Sequence, residues 1–185
     1  MTYKGDDMKN LKKMMMTVNK ITYTQKDLDD AIAESIYTIG YTKTLIVAIE
    51  ELGELINVIS DNTENKLDYM HTVEELTDVI ITLEYCKQAA HMKPDELAKT
   101  YKIPENRHKI MYYINVLSRT QQSITKFIRH ATRSRQSLIQ SVVITYAVID
   151  DMISFYNINK RDIEKMKQLK INRLRDRLDN RQLFQ

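Results

Sequence analysis

The chain has 185 residues, of which 43% are hydrophobic and 29% are charged, with three glycines, two prolines, one cysteine and no tryptophan. So few glycines exclude folds built on many tight turns and sites in which a glycine-rich loop cradles phosphate, so we expect a mostly helical protein. The single cysteine, Cys86, excludes a disulfide framework and favours a reducing, cytoplasmic setting.

The net charge of +3 conceals a strong asymmetry along the chain. Residues 24–100 carry 6 basic and 16 acidic side chains, a net charge of −10, whereas residues 101–185 carry 17 and 7, a net charge of +10. Such asymmetry is typical of proteins with a charged partner, of which nucleic acid is one. It is equally consistent with an internal acidic wall that holds a cation and faces a basic wall that holds phosphate.

The N-terminal segment, residues 1–23, is basic and lacks the apolar run of a signal peptide. We expect it to form a loosely held arm. No stretch approaches the length of about 20 apolar residues that a membrane-spanning helix requires, so the sequence predicts a soluble protein.

Helical periodicity predicts four helices in residues 24–106. Thr24 and Asp27 resemble a capping box at the start of the first helix, which ends before Gly40. The other three are predicted at about 42–60, after residue 66 to about residue 91, and over a short stretch opened by Pro94.

The same pattern starts again at residue 107. A helix is predicted over 110–128, then a polar break at 131–136, then two helices around 138–153 and 163–178. The order of long helices, polar loop and short link recurs at a displacement of about 65 residues. We interpret the chain as an all-α helical bundle with a diverged internal duplication, consisting of two four-helix-type halves, residues 24–106 and 107–185.

Acidic residues recur in one pattern, Glu-Glu-x-x-acid, on the second and third predicted helices. They are Glu50, Glu51 and Glu54 on the second helix, and Glu74, Glu75 and Asp78 on the third. Positions three and four apart share a side of a helix, where like charges repel by roughly 0.2–0.5 kcal/mol per pair. The alternative is a solvated acidic face. Both groups border the apolar stripe, however, and an antiparallel pairing of the helices brings them face to face, which suits a hard cation such as Mg²⁺.

This two-part motif resembles the signature of the MazG-like, all-α nucleoside triphosphate pyrophosphohydrolases. That superfamily includes dimeric dUTPases, dCTP pyrophosphatases and phosphoribosyl-ATP pyrophosphohydrolases, and the resemblance covers about residues 28–107. It implies Mg²⁺-dependent hydrolysis between the α- and β-phosphates of a nucleotide, with Mn²⁺ as an alternative ion. The implied ligands are Glu51, Glu54, Glu75 and Asp78, and Glu50 is implied to orient or deprotonate the attacking water. Glu74 is outside this set and is expected to face solvent.

Members of this superfamily commonly end in a basic helix that contacts the phosphates, and Lys170-x-x-Arg173, continuing to Arg177, resembles it. Lys102 stands in the equivalent place in the first half. The second half lacks the acids, and the matching positions hold Asn115, Val116, Arg119, Ser141 and Ile144. We therefore expect one composite site, with carboxylates from the first half and cations from the second. The alternative for the basic tail is a solvated helix.

The sequence thus predicts a pyrophosphohydrolase with a nucleotide substrate, acting either as a homodimer or as a single-chain pseudo-dimer. One alternative is a catalytically weak nucleotide-binding or regulatory protein on the same scaffold. Nucleic-acid binding through residues 101–185 is disfavoured because no helix with base-contacting chemistry stands out. Cys86 is predicted to lie in the core, and the four histidines are predicted to have surface or boundary roles: His71, His91, His108 and His130.

Overall fold

The structure, a computed structural model, describes residues 5–18, 20–64, 68–105 and 108–180. Within these ranges the chain forms eight helices and no strands, which confirms the all-α prediction. The helices are α1 (Gly5–Thr17), α2 (Gln25–Ile39), α3 (Tyr41–Glu64), α4 (Tyr69–Ala89), α5 (Pro94–Leu97), α6 (Lys109–Arg129), α7 (Ala131–Phe155) and α8 (Lys160–Asp179).

The predicted capping box at the start of α2 is confirmed. The Asp27 N–H donates to the Thr24 hydroxyl at 3.2 Å, and the Thr24 N–H donates to the Asp27 carboxylate at 2.6 Å. The helix ends at Gly40, whose φ of +85° lies in the region that favours glycine. Because this one residue turns the chain, α3 begins immediately afterwards at Tyr41.

The N-terminal segment is not a loosely held arm where it is described. Its helix, α1, packs against α4 and α8, and Leu11 and Met15 are only 4% and 6% exposed within the main core. Their four-residue spacing places both on one face of a helix, so one turn contributes two buried side chains. Residues 1–4 and 19 of the predicted arm lie outside the described residues.

The polar break predicted at residues 131–136 is wrong, because α7 begins at Ala131 and only His130 separates it from α6. Polar side chains on an exposed turn do not interrupt a helix, and one of them anchors it. Arg135 donates to the Glu96 carboxylate at 2.7 Å and to the Ala90 carbonyl at 2.8 Å. This contact ties the start of α7 to the region of α5.

The bundle is organised around two helix pairs, α3 with α4 and α6 with α7, which meet where α3 packs on α6. Helix α8 lies against α4, and α2 covers α3, α4 and α8. One continuous core runs through both predicted halves and includes Cys86, as the sequence predicts. The halves therefore share one core in the part of the chain that the structure describes.

Gly53 permits the close approach of α3 and α6. A Cβ at this position would lie 3.2 Å from the amide nitrogen of Gln121. The same amide donates to the Ile49 carbonyl at 2.8 Å, so a side chain from the second half caps a carbonyl beside the acidic motif. This contact holds α3 in position over the stretch that carries Glu51 and Glu54.

One helix in the described part of the chain, α7, is long and apolar enough by length and composition to cross a membrane. Core helices of soluble proteins have the same properties. Here α7 packs along α6 and also contacts α4, with nine of its residues buried. The absence of a membrane span stays a prediction.

Candidate metal centre

Three of the predicted ligands converge where α3 faces α4. Glu51, Glu54 and Glu75 each place one carboxylate oxygen within 4.8 Å of the other two. Glu51 and Glu54 share a face of α3 because they are three residues apart, and Glu75 approaches from α4. The expected meeting of the two acidic motifs is confirmed for these residues.

Glu75 has a buried oxygen without a partner. The residue is 1% exposed, and its Oε1 lies 3.3 Å from the Nε2 of His71, one turn earlier on α4. Its Oε2 has no hydrogen-bond partner among the described residues. Leaving such a group unsatisfied costs roughly 1–3 kcal/mol. A cation held by Glu51, Glu54 and Glu75 would satisfy this oxygen, so the residues present fit a hard metal ion.

Lys170 enters the same region from α8. Its Nζ lies 2.5 Å from Asp78 Oδ2 and 2.8 Å from Glu74 Oε1. The predicted phosphate ligand Lys170 therefore forms ion pairs with carboxylates, and one oxygen of the predicted metal ligand Asp78 faces this lysine. We call the five acidic residues the carboxylate cluster, which comprises Glu51, Glu54, Glu74, Glu75 and Asp78.

The expectation that Glu74 faces solvent is wrong, because the residue is fully buried. Helix α4 contacts α3 on one side and α7, α8, α2 and α1 on others, and residues 72–77 are all buried. A central helix of this kind has no solvated face at its middle. Glu74 is instead held beside Lys170, so it belongs to the cluster.

The other predicted site residues lie at the surface or beside other elements. Glu50 is exposed on α3, next to the cluster in sequence, as a group that handles water requires. Arg173 is half-buried with its guanidinium 3.6 Å from the sulfur of Met14, and Arg177 is exposed. Lys102 is exposed on the loop after α5, with its Nζ 3.6 Å from Glu105. The predicted roles of these four residues stay predictions.

Burial and mutual repulsion oppose full ionisation of the cluster. Burial raises the pKa of Glu51 to about 8, and the charges of Asp78 and Glu54 raise it further. Burial also raises the pKa of Asp78 to about 6, although Lys170 opposes this shift. A cation among these groups would therefore have to displace protons, as metal ions do when they bind protonated ligands.

We expect the metal-free protein to lose thermal stability as the pH rises from about 4.5 to 8. The folded-state pKa values of Glu51 and Asp78 lie above their usual values, so the folded state binds more protons in this window and stability falls with pH. Added Mg²⁺ should raise the melting temperature more at pH 8 than at pH 5.5, because it needs ionised ligands.

Differential scanning fluorimetry across this pH range, with EDTA or with Mg²⁺, measures both effects. Glu51→Gln should flatten the metal-free profile, whereas Glu34→Gln, which removes an exposed carboxylate from α2, should leave it unchanged. The low pKa values of Asp27 and Glu96, about 2 because each accepts a hydrogen bond from an arginine, act below this window. A metal-free melting temperature that rises steadily to pH 8 contradicts the assignment.

Sequence reasoning missed the role of His71 and the partners of Lys170. The His71 signal was available, because His71 and Glu75 are four residues apart and share a helix face. The contacts of Lys170 had no such signal, since they join residues 92 and 96 positions apart. Comparison with protein-family models, with curated proteins and with solved structures gave no match for this chain. The chemistry of the site is therefore inferred from its own residues.

Proposed function

We propose that the protein is a Mg²⁺-dependent nucleoside triphosphate pyrophosphohydrolase, which cleaves between the α- and β-phosphates to give a monophosphate and pyrophosphate. The observation that carries this proposal is the convergence of Glu51, Glu54 and Glu75 around a buried oxygen without a partner. Mg²⁺ prefers such oxygen ligands and commonly links carboxylates to substrate phosphates. The resemblance of the motif to MazG-like enzymes specifies the bond that is cleaved.

In this proposal Glu51, Glu54, Glu75 and Asp78 hold the ion. Bound Mg²⁺ neutralises the charge that builds on the phosphate oxygens during an in-line displacement. Glu50 is exposed beside these ligands and orients the attacking water, whose proton it accepts.

Lys170 supports the composite arrangement, because it extends from the second half to acids of the first half. It fixes the Asp78 carboxylate and adds a positive charge at the edge of the cluster. Arg173 follows one turn later on α8 and, with Arg177 and Lys102, is proposed to meet the phosphates. A site supplied by both halves of one chain favours the single-chain pseudo-dimer over the homodimer, in a cytoplasmic setting.

A pyrophosphate-release screen over the common ribo- and deoxyribonucleoside triphosphates tests the proposal. We expect release from at least one nucleotide with Mg²⁺ or Mn²⁺ and none with EDTA. Glu54→Gln should suppress the release, and Glu34→Gln, on the exposed face of α2, should not. No release from any nucleotide, or release that Glu54→Gln leaves unchanged, would rule the enzyme out.

A second candidate is a nucleotide-binding or regulatory protein with little turnover. The 2.5 Å contact between Lys170 and Asp78 favours it, because an internal cation already neutralises one predicted metal ligand. This protein would bind a nucleotide in the presence of Mg²⁺ and release no pyrophosphate. Calorimetric binding beside the release screen separates the two candidates.

A further inference from the structure

A groove of about 840 Å³ lies between α6, α7 and the loop that precedes α6. It is on the second half of the chain, away from the acids of the carboxylate cluster. Its walls are polar along most of their length, with amide and hydroxyl groups on both helices. Such a concave site with convergent polar groups is the usual form of a small-molecule site.

The groove is the counterpart of the carboxylate cluster under the 65-residue displacement. Helix α3 ends at Glu64 and α6 ends at Arg129, so the two helices keep this displacement in the structure. The five residues that match the acids of the first half all line the groove, namely Asn115, Val116, Arg119, Ser141 and Ile144. Amide, hydroxyl and guanidinium groups therefore take the place of carboxylates in the same structural setting.

The charge of this groove is opposite to that of the carboxylate cluster. Its described lining includes Arg119 and Lys126 and no acidic side chain. The two cations lie seven residues apart on one face of α6, about 10 Å at 1.5 Å per residue, and neither forms a salt bridge with a described residue. Arginine and lysine without carboxylate partners suit phosphate oxygens and exclude a metal ion.

Aromatic side chains line the other end of the groove. Tyr101 on the loop and Tyr112 on α6 meet there with their hydroxyl oxygens 3.0 Å apart. Tyr112 precedes Arg119 by seven residues on α6, so the tyrosine pair, Arg119 and Lys126 follow one another along the groove at similar intervals. An aromatic end followed by two cations matches the order of a base and a polyphosphate chain.

We propose that this groove is a second, metal-independent binding site for a nucleoside polyphosphate. Arg119 and Lys126 bind the phosphates and the tyrosine pair contacts the base. The site does not depend on catalysis by the first half, because it shares no residue with the carboxylate cluster. In the absence of a divalent ion the cluster itself repels phosphate, so binding in EDTA reports on the groove alone.

Calorimetric titration of ATP into the full chain in excess EDTA tests this site. We expect saturable binding that the double variant Arg119→Ala/Lys126→Ala weakens by tenfold or more, since charged hydrogen bonds to phosphate are lost. The matched control is Arg129→Ala/Arg133→Ala, which removes two exposed cations of α6 and α7 outside the groove and should bind ATP like the wild type. Circular dichroism of both variants checks that they are folded.

Inorganic tripolyphosphate separates the phosphate subsite from the base subsite. We expect it to compete with ATP but to bind more weakly, and Tyr112→Ala should weaken ATP binding without affecting tripolyphosphate. Equal affinity for both ligands would overturn the nucleoside assignment. Lack of ATP binding in EDTA, or equal weakening by the two double variants, would overturn the site. Both outcomes are independent of pyrophosphate release with Mg²⁺.

Discussion

Glu75→Gln is expected to lower Mg²⁺-dependent pyrophosphate release by roughly 100-fold or more, without destabilising the metal-free protein. The residue is 1% exposed, and its unsatisfied oxygen lies among like charges from Glu51 and Glu54. An amide removes the repulsion together with the negative charge that the ion requires. Activity and metal-free stability should therefore change independently, which distinguishes a metal ligand from a structural residue.

Two measurements on each variant check this result. The turnover number at saturating nucleotide and Mg²⁺ should collapse, and the rise in melting temperature that Mg²⁺ causes in the wild type should disappear. Glu84→Gln is the matched control, because Glu84 is a second buried glutamate of α4 that pairs with Lys87 and Tyr146 outside the cluster. It should retain hydrolysis. A Glu75→Gln protein that keeps the Mg²⁺ response and turnover would disprove the metal centre.

Lys170→Met should destabilise the protein by about 3–5 kcal/mol, the usual effect of removing one partner from a buried ion pair. The lysine side chain is 15% exposed, and its partners Glu74 and Asp78 are 1% and 18% exposed. Methionine preserves most of the aliphatic packing. The expected loss therefore arises from two carboxylates left without their cation.

Urea denaturation in EDTA measures the effect as a change in midpoint at constant slope. Lys167→Met, one turn earlier on α8, removes a lysine whose partner Glu164 is 41% exposed, and it should cost at most about 1 kcal/mol. Adding Asp78→Asn to Lys170→Met should recover part of the loss, because one uncompensated charge is then removed. If Lys170→Met matches the control, Lys170 is not a structural cation of the cluster.

Much of the fold was predictable, because helices are specified by residues close in sequence. The Thr24 capping box and the apolar periodicity involve neighbours three or four positions apart. The meeting of Glu51, Glu54 and Glu75 followed from the same logic, since two adjacent helices with a short connection pack side by side. Polar residues at 131–136 misled the prediction because a polar run marks either a loop or the exposed start of a helix.

By itself the sequence determined the helical class, the cap of α2 and the spacing of the two acidic motifs, all of which depend on local hydrogen bonding and helix periodicity. Only the tertiary structure decided that Glu74 is buried and that Lys170 pairs with the acids. It also decided that the acid-free positions of the second half line one groove. The physical reason is common to these findings. The environment of a side chain is set by helices that approach from distant parts of the chain, and the residues beside it in sequence do not specify that approach.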